Sequence, residues 1–147
     1  YGTCAIIALV HDVLISVAFF AIFSRLLHLE INLMFITGIL TVIGYSVNDT
    51  IVVFDRIREN LSRGTRQSFE TVVNSSLIET LGRSLSTSLT TLIVLVAIYL
   101  FVGMAIRSFI LVLIVGIISG TYSSIFIASQ ALVAWETKKL RPSKAAR

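Results

Sequence analysis

Three ionisable side chains stand inside long apolar runs: Asp12, Asp49 and Arg83, with His11 beside the first and Asn48 beside the second. A charge near the middle of a bilayer costs roughly 3 kcal/mol or more, so such residues mark an ion pathway or a pair. Two acids and one base in these positions can form an interhelical acid and base cluster. Around Asp49 the second apolar run carries a stripe of Thr41, Tyr45 and Asp49 at steps of four, flanked by Asn48. The third carries two polar rows, Arg83, Thr87 and Thr90, then Ser84, Ser88 and Thr91. Rows of this kind must face protein or water. A single hydroxyl in them can equally bond the preceding turn, and Asp49 can equally form a static bridge to Arg83. Asp12 lies near a helix start, where capping or an interfacial position is the plainer role. Gly116, Gly120, Ser123 and Ser124 form a small-residue face suited to close helix packing, and His28 is expected to be solvated in a short turn.

The elements that position these groups are transmembrane helices. Hydrophobic residues make up 56% of the 147, charged ones 14%, and the mean hydropathy is +0.93. A soluble fold this small has too little interior to bury that much apolar surface. Crossing the hydrocarbon takes about 20 apolar helical residues. Four stretches qualify: Cys4 to Phe23, Ile31 to Phe54, Leu81 to Val102 and Phe109 to Trp135. The expected fold is therefore all-α, a polytopic bundle of four transmembrane helices forming a single transmembrane domain over residues 1–147. Short turns are expected at Ser24 to Glu30 and Gly103 to Ser108, and a longer polar loop at Asp55 to Thr80. Within that loop Phe69, Val72, Val73 and Leu77 recur at helical spacing, which predicts an amphipathic helix lying along the membrane face or a connector packed on the bundle.

At about 1.5 Å per residue, Asp49 falls about 9 Å from one end of its span, with Arg83 about one turn inside the next. Asp12 lies in the same half, so the three can meet at one depth. Basic residues set the expected direction, because short cytoplasmic loops retain Lys and Arg. The long loop and the tail at 136–147 hold nine of them (Arg56, Arg58, Arg63, Arg66, Lys138, Lys139, Arg141, Lys144, Arg147), against Arg25 and Arg107 in the short turns. Loop and tail are therefore expected in the cytoplasm. The net charge of +4 is explained by this topology and does not call for nucleic acid.

Tyr1 in place of an initiator Met, with no basic leader before the first span, argues against a signal peptide and suggests a chain that begins inside a larger protein. Cys4 alone cannot form an intrachain disulfide and reads as a small apolar residue. There is no phosphate-binding glycine loop, no metal-ligand spacing and no credible hydrolytic set. No cofactor, no metal and no enzymatic activity are expected.

The run Gly44-Tyr45-Ser46-Val47-Asn48-Asp49-Thr50-Ile51-Val52-Val53-Phe54-Asp55-Arg56-Ile57-Arg58-Glu59-Asn60 closely resembles the signature of the SecF family, which with SecD forms the SecDF complex of bacterial protein export. The SecD pattern differs at Asn48-Asp49-Thr50. His11-Asp12-Val13, Glu79-Thr80-Leu81 through Arg83 to Thr90-Thr91-Leu92, and Gly120-Thr121-Tyr122-Ser123-Ser124-Ile125 are similar to further family motifs. The resemblance implies the last four helices of a six-helix unit of the resistance-nodulation-division superfamily, in the bacterial inner (plasma) membrane. It implies a proton relay through Asp49 and Arg83, with Asn48, Tyr45, Thr87, Asp12 and His11 as supporting polar residues. The implied partners are SecD, the SecYEG translocon, YajC or YidC, and the translocating preprotein. Alternatives are half of a related proton-coupled exporter of small molecules or lipids, and a structural translocase scaffold.

Overall fold

In the computed structural model, residues 1–27, 31–64 and 68–140 are described. His28 and Arg66, and Arg141 to Arg147 of the tail, lie outside them. All regular structure among the described residues is helical: α1 Gly2–Leu27, α2 Leu33–Ser62, α3 Phe69–Phe101, α4 Met104–Ser123, a π turn Ser124–Ala128, and α5 Ser129–Leu140. The last three run on as one rod, so four helices are long and apolar enough to cross a membrane.

Local sequence explains where the helices begin and end. Asn32 caps α2 by accepting the Phe35 N–H at 3.1 Å, and Ser68 caps α3 by accepting that of Thr71 at 3.3 Å. After α2, Gly64 takes φ +68°, the left-handed conformation that ends a helix most cheaply in glycine. Leu14, Ile22, Leu40, Leu89, Ile93 and Leu100 point outward, as residues facing lipid or neighbouring helices do.

The helices run past the expected span limits, α2 and α3 most of all. α2 continues past Phe54 to Ser62, and α3 begins at Phe69 instead of Leu81. No residue between Phe69 and Leu81 breaks a helix, so the amphipathic stretch is simply the first turns of α3. Its apolar face packs on α2: buried Val73 joins Phe54 and Ile57, with Phe69 and Leu77 against them. It therefore packs on the bundle as helix and does not lie apart along the membrane face. At 1.5 Å per residue, α3 with its 33 residues is about 50 Å long, well beyond a hydrocarbon core of about 30 Å. The surplus of α2 and α3 forms a hairpin stalk. Arg56 Nε donates to Glu79 Oε2 at 2.5 Å, and Asn60 Nδ2 to Ser76 Oγ at 2.9 Å. At the other end α4 begins at Met104 and not Phe109, leaving only Val102 and Gly103 in the turn.

The interior is layered. One apolar cluster joins Cys4, Ala8, Val53, Phe54, Ile57, Val73, Ala128 and Leu132. Another joins Phe20, Val42, Leu95, Ile110, Val112, Leu113 and Ile117. Between them in sequence on every helix lie the buried polar residues Asp12, Ser16, Ser46, Ser84, Ser88, Ser119, Thr121, Ser123 and Ser124. The bundle thus carries a polar slab between two greasy ends. α4 reaches the slab through its glycines: a Cβ on Gly116 would lie 2.1 Å from Val42 Cγ2, and one on Gly120 3.3 Å from Ser46 Cβ. The pairings of Gly116 with Val42 and Gly120 with Ser46 rise together along both helices, so α2 and α4 run parallel.

Candidate functional site

Asp49 is half-buried on α2, and two other helices supply its hydrogen bonds. Ser84 Oγ of α3 donates to Oδ1 at 2.6 Å, and Ser124 Oγ, the first residue of the π turn, donates to Oδ2. The carboxylate therefore ties α2, α3 and the α4 rod together through hydroxyls. A carboxylate accepting two such bonds is a satisfied acceptor. A carboxylic acid is not, because its proton needs an acceptor where a hydroxyl had been donating.

Arg83 is next to Ser84 on α3, and consecutive helical residues point about 100° apart. With Ser84 turned into the bundle, Arg83 is carried to the outer side and is exposed. The expected Asp49–Arg83 ion pair is not among the pairs formed by the described residues, which are His11–Asp12, Arg56–Glu59, Arg56–Glu79 and Arg63–Glu59. The two residues nevertheless share a wall. Tyr45, Asn48, Asp49, Val52, Arg83, Ser84 and Thr87 line a cavity of about 90 Å³ between α2 and α3. Arg83 also lines a larger space of about 290 Å³ towards the stalk, with Asp55, Arg56, Glu59 and Glu79. Arg83 thus borders both the Asp49 cavity and the charged space towards the stalk.

The supporting residues divide. Tyr45 reaches inward, its hydroxyl 3.2 Å from Ser88 Oγ, which is 2.6 Å from Thr121 Oγ1. Asn48 and Thr87 are exposed along the cavity edge, and Thr87 returns its hydroxyl to the Arg83 carbonyl at 2.9 Å. Thr41, Thr90 and Thr91 likewise bond the preceding turn. Of the two polar rows on α3, Ser84 and Ser88 face the bundle, and the row of Arg83, Thr87 and Thr90 faces out.

Asp12 is neither a cap nor interfacial. α1 begins at Gly2, which places Asp12 almost three turns into the helix, and its side chain is 0% exposed. Ser46 Oγ of α2 donates to Oδ2 at 2.5 Å and Ser119 Oγ of α4 to Oδ1 at 3.2 Å, with His11 Nδ1 also 3.2 Å from Oδ1. Asp12 and Asp49 do not share partners. They occupy successive levels of the slab, Ser46 and Asp49 being one turn apart on α2. The partners Ser46, Ser119 and Ser124 were missed as site residues. A clue lay in Ser124 following the Gly116 and Gly120 face, which also marks the helix closest to α2.

The family of protein export membrane proteins SecD/SecF, C-terminal, matches residues 1–138. The protein translocase subunit SecF of Thermobaculum terrenum is 57% identical over 138 residues, an alignment covering 94% of this chain and 44% of that one. That of Anaerolinea thermophila is 47% identical over 142 residues, covering 96% and 46%. The chain thus spans less than half the length of these curated relatives. A crystal structure of SecDF in the super-membrane-facing form matches with a TM-score of 0.86 at 40% identity, over 99% of this chain and 19% of that one. The crystal structure of SecDF, a translocon-associated membrane protein, from Thermus thermophilus matches at 0.83 and 43%, over 93% and 18%. With nearly its whole length matched and the four-helix fold shared, the chain belongs to the SecD/SecF family of protein export membrane proteins.

Proposed function

We propose that the chain is the membrane-embedded part of a SecF subunit which, with SecD, uses the proton-motive force to promote preprotein translocation through SecYEG. The observation that carries the proton role is the setting of Asp49: an acid within a membrane span, held by hydroxyls from two other helices, on the wall of a cavity it shares with Arg83. Protonation of Asp49 turns one acceptor oxygen into a donor, so the hydroxyl of Ser84 or Ser124 must reverse from donating to accepting, and the hydrogen bonds that tie α2 to its neighbours follow the protonation state. When the acid is ionised, Arg83 can swing into the common cavity as its counter-ion. The chain acts as a coupling subunit and not as an enzyme; any ATP use belongs to a partner. The stalk and the C-terminus lie in the cytoplasm of the bacterial inner membrane, as the distribution of basic residues supports, and YajC or YidC joins the assembly.

The test is export by inverted vesicles containing the complete complex, with and without a proton gradient, alongside expression level and co-purification with SecD. Asp49→Asn should remove the gradient-dependent part of export and leave assembly intact. Normal amounts of Asp49→Asn protein that still respond fully to the gradient would overturn the proton role and favour a static scaffold. Topology has its own test: a cysteine at position 63 should label only from the cytoplasm and one at position 28 only from outside.

A further inference from the structure

The ion pairs of the stalk leave one acid and one base over. On α2, Arg56 and Glu59 are three residues apart and close on each other at 2.6 Å, as opposite charges at this spacing on a helix commonly do. Asp55 and Arg58 have the same spacing, with the acid first, yet neither is in an ion pair among the described residues. Glu59, the next acid along, has both carboxylate oxygens taken, one by Arg56 and one by Arg63. Asp55 is thus the open carboxylate at this level of α2 and Arg58 the open cation, and both are exposed.

These two side chains border two spaces of opposite character. A groove of about 520 Å³ between the start of α1 and α2 has Ala5, Ile51 and Phe54 as apolar walls and Tyr1 at its edge. A recess of about 290 Å³ is lined by Asp55, Arg58, Glu59 and Ser62. Asp55 and Arg58 belong to both linings. Along α2 the order is therefore apolar wall, charged couple, polar recess. The couple follows directly on the apolar run that ends at Phe54, which places it where hydrocarbon gives way to headgroups. Asp55 also borders the space beside Arg83, and Arg58 does not.

We propose that the α1–α2 groove and its recess bind a phospholipid with an amine headgroup, an acyl chain lying along Ala5, Ile51 and Phe54, the phosphate on Arg58 and the ammonium on Asp55. Charge complementarity selects this occupant. One free base and one free acid, set in order beyond an apolar slot, match a zwitterion whose phosphate comes before its amine. The guanidinium suits phosphate through its fork of donors. An anionic lipid without an amine would meet Arg58 but turn its negative charge on Asp55, and an apolar helix would leave both charges unmet. The site rests on the chain spanning a membrane and holds whether or not Asp49 couples protons to export.

The test places the complete complex in phosphatidylcholine vesicles doped with phosphatidylethanolamine that carries a photoreactive group on its acyl chain, or with phosphatidylglycerol carrying the same group, and maps the cross-linked peptides. Labelling of segments 2–5 and 51–54 should be about tenfold stronger from the ethanolamine lipid, the factor expected for one charge-assisted hydrogen bond. Asp55→Asn should bring the two lipids level, Asp55→Glu should keep the preference, and Arg58→Gln should weaken labelling by both. Both substituted side chains are exposed, so the variants should fold. Equal labelling by the two lipids in the unaltered complex would mean ordinary lipid contact and overturn the proposal. Labelling unmoved by Asp55→Asn and Arg58→Gln would do the same. So would no labelling of these segments at all, because a partner helix or a further segment of a longer chain would then fill the groove.

Discussion

The two acids of the polar slab are built to one plan and differ in their surroundings. Asp12 on α1 receives hydroxyls from α2 and α4; Asp49 on α2 receives them from α3 and the π turn that follows α4. Each carboxyl is thus a three-helix tie. Asp12 is sealed, with a histidine at its side, whereas Asp49 is half-open on a cavity bordered by an arginine with no ion pair to it. The contrast separates what a buried acid does for packing from what it does for exchange. A sealed acid with every bond made is costly to disturb, and the open one is the acid to which the proposed function assigns exchange.

Substitutions at matched positions sharpen the comparison. The largest effect is expected for Asp49→Asn in the complete complex: loss of essentially all gradient-dependent export at normal protein levels, measured in inverted vesicles. Asp12→Ala should act mainly on the amount of folded protein. It leaves the hydroxyls of Ser46 and Ser119 buried without their acceptor, at about 1–3 kcal/mol for each group so stranded; thermal unfolding in mild detergent and yield would report this. Equal loss of yield for both variants would erase the distinction between the sealed and the open acid.

Gly116→Ala tests the close approach of α4 that both ties require. The new methyl meets the stiff, branched Val42 side chain at 2.1 Å, and overpacking of this kind costs about 1–3 kcal/mol. A lower unfolding temperature, partly restored by adding Val42→Ala, is the expected result. Restoration failing altogether would place the cost elsewhere. The smallest effect should come from Glu79→Gln in the stalk. Its ion pair with Arg56 is solvent-facing, so the shift in Tm should lie near the limit of detection and vanish in high salt. A large, salt-resistant loss would mean that the stalk is structurally coupled to the slab.

Much of this was legible in the sequence because lipid punishes polarity. The four spans follow from apolar length alone, and Asp49 and Arg83 stand out because they are charges inside apolar runs. Their common depth follows from helical rise. The partners of the acids were not legible, since a serine facing a carboxylate and one bonding its own helix look alike as letters. The choice is made by helix rotation: Ser84 turning inward sends Arg83 outward and leaves the expected ion pair unmade. Asp12 reads as lying near a helix end because its distance from the first apolar residue is short, whereas α1 already begins at Gly2. Residues 69–80 read as separate from the third span because their polar faces resemble a surface helix, whereas their apolar face finds α2.

The π turn at Ser124–Ala128 has a geometric consequence for the rod that contains it. The inward side chains of this rod step by four: Gly116, Gly120, Ser124, Ala128 and Leu132. In an α-helix of 3.6 residues per turn, a step of four overshoots one revolution by about 40°, so a line of such steps winds away from a straight neighbour. A π turn is wound more loosely, with i to i+5 bonding, and its rotation per residue is smaller, which cancels part of that drift. It works as a phase correction. It keeps Ala128 and Leu132 aimed at the Cys4 and Val53 cluster while Ser124 stays on Asp49. At constant length, plain α winding over Ser124–Ala128 would instead swing Leu132 out of line with the acid.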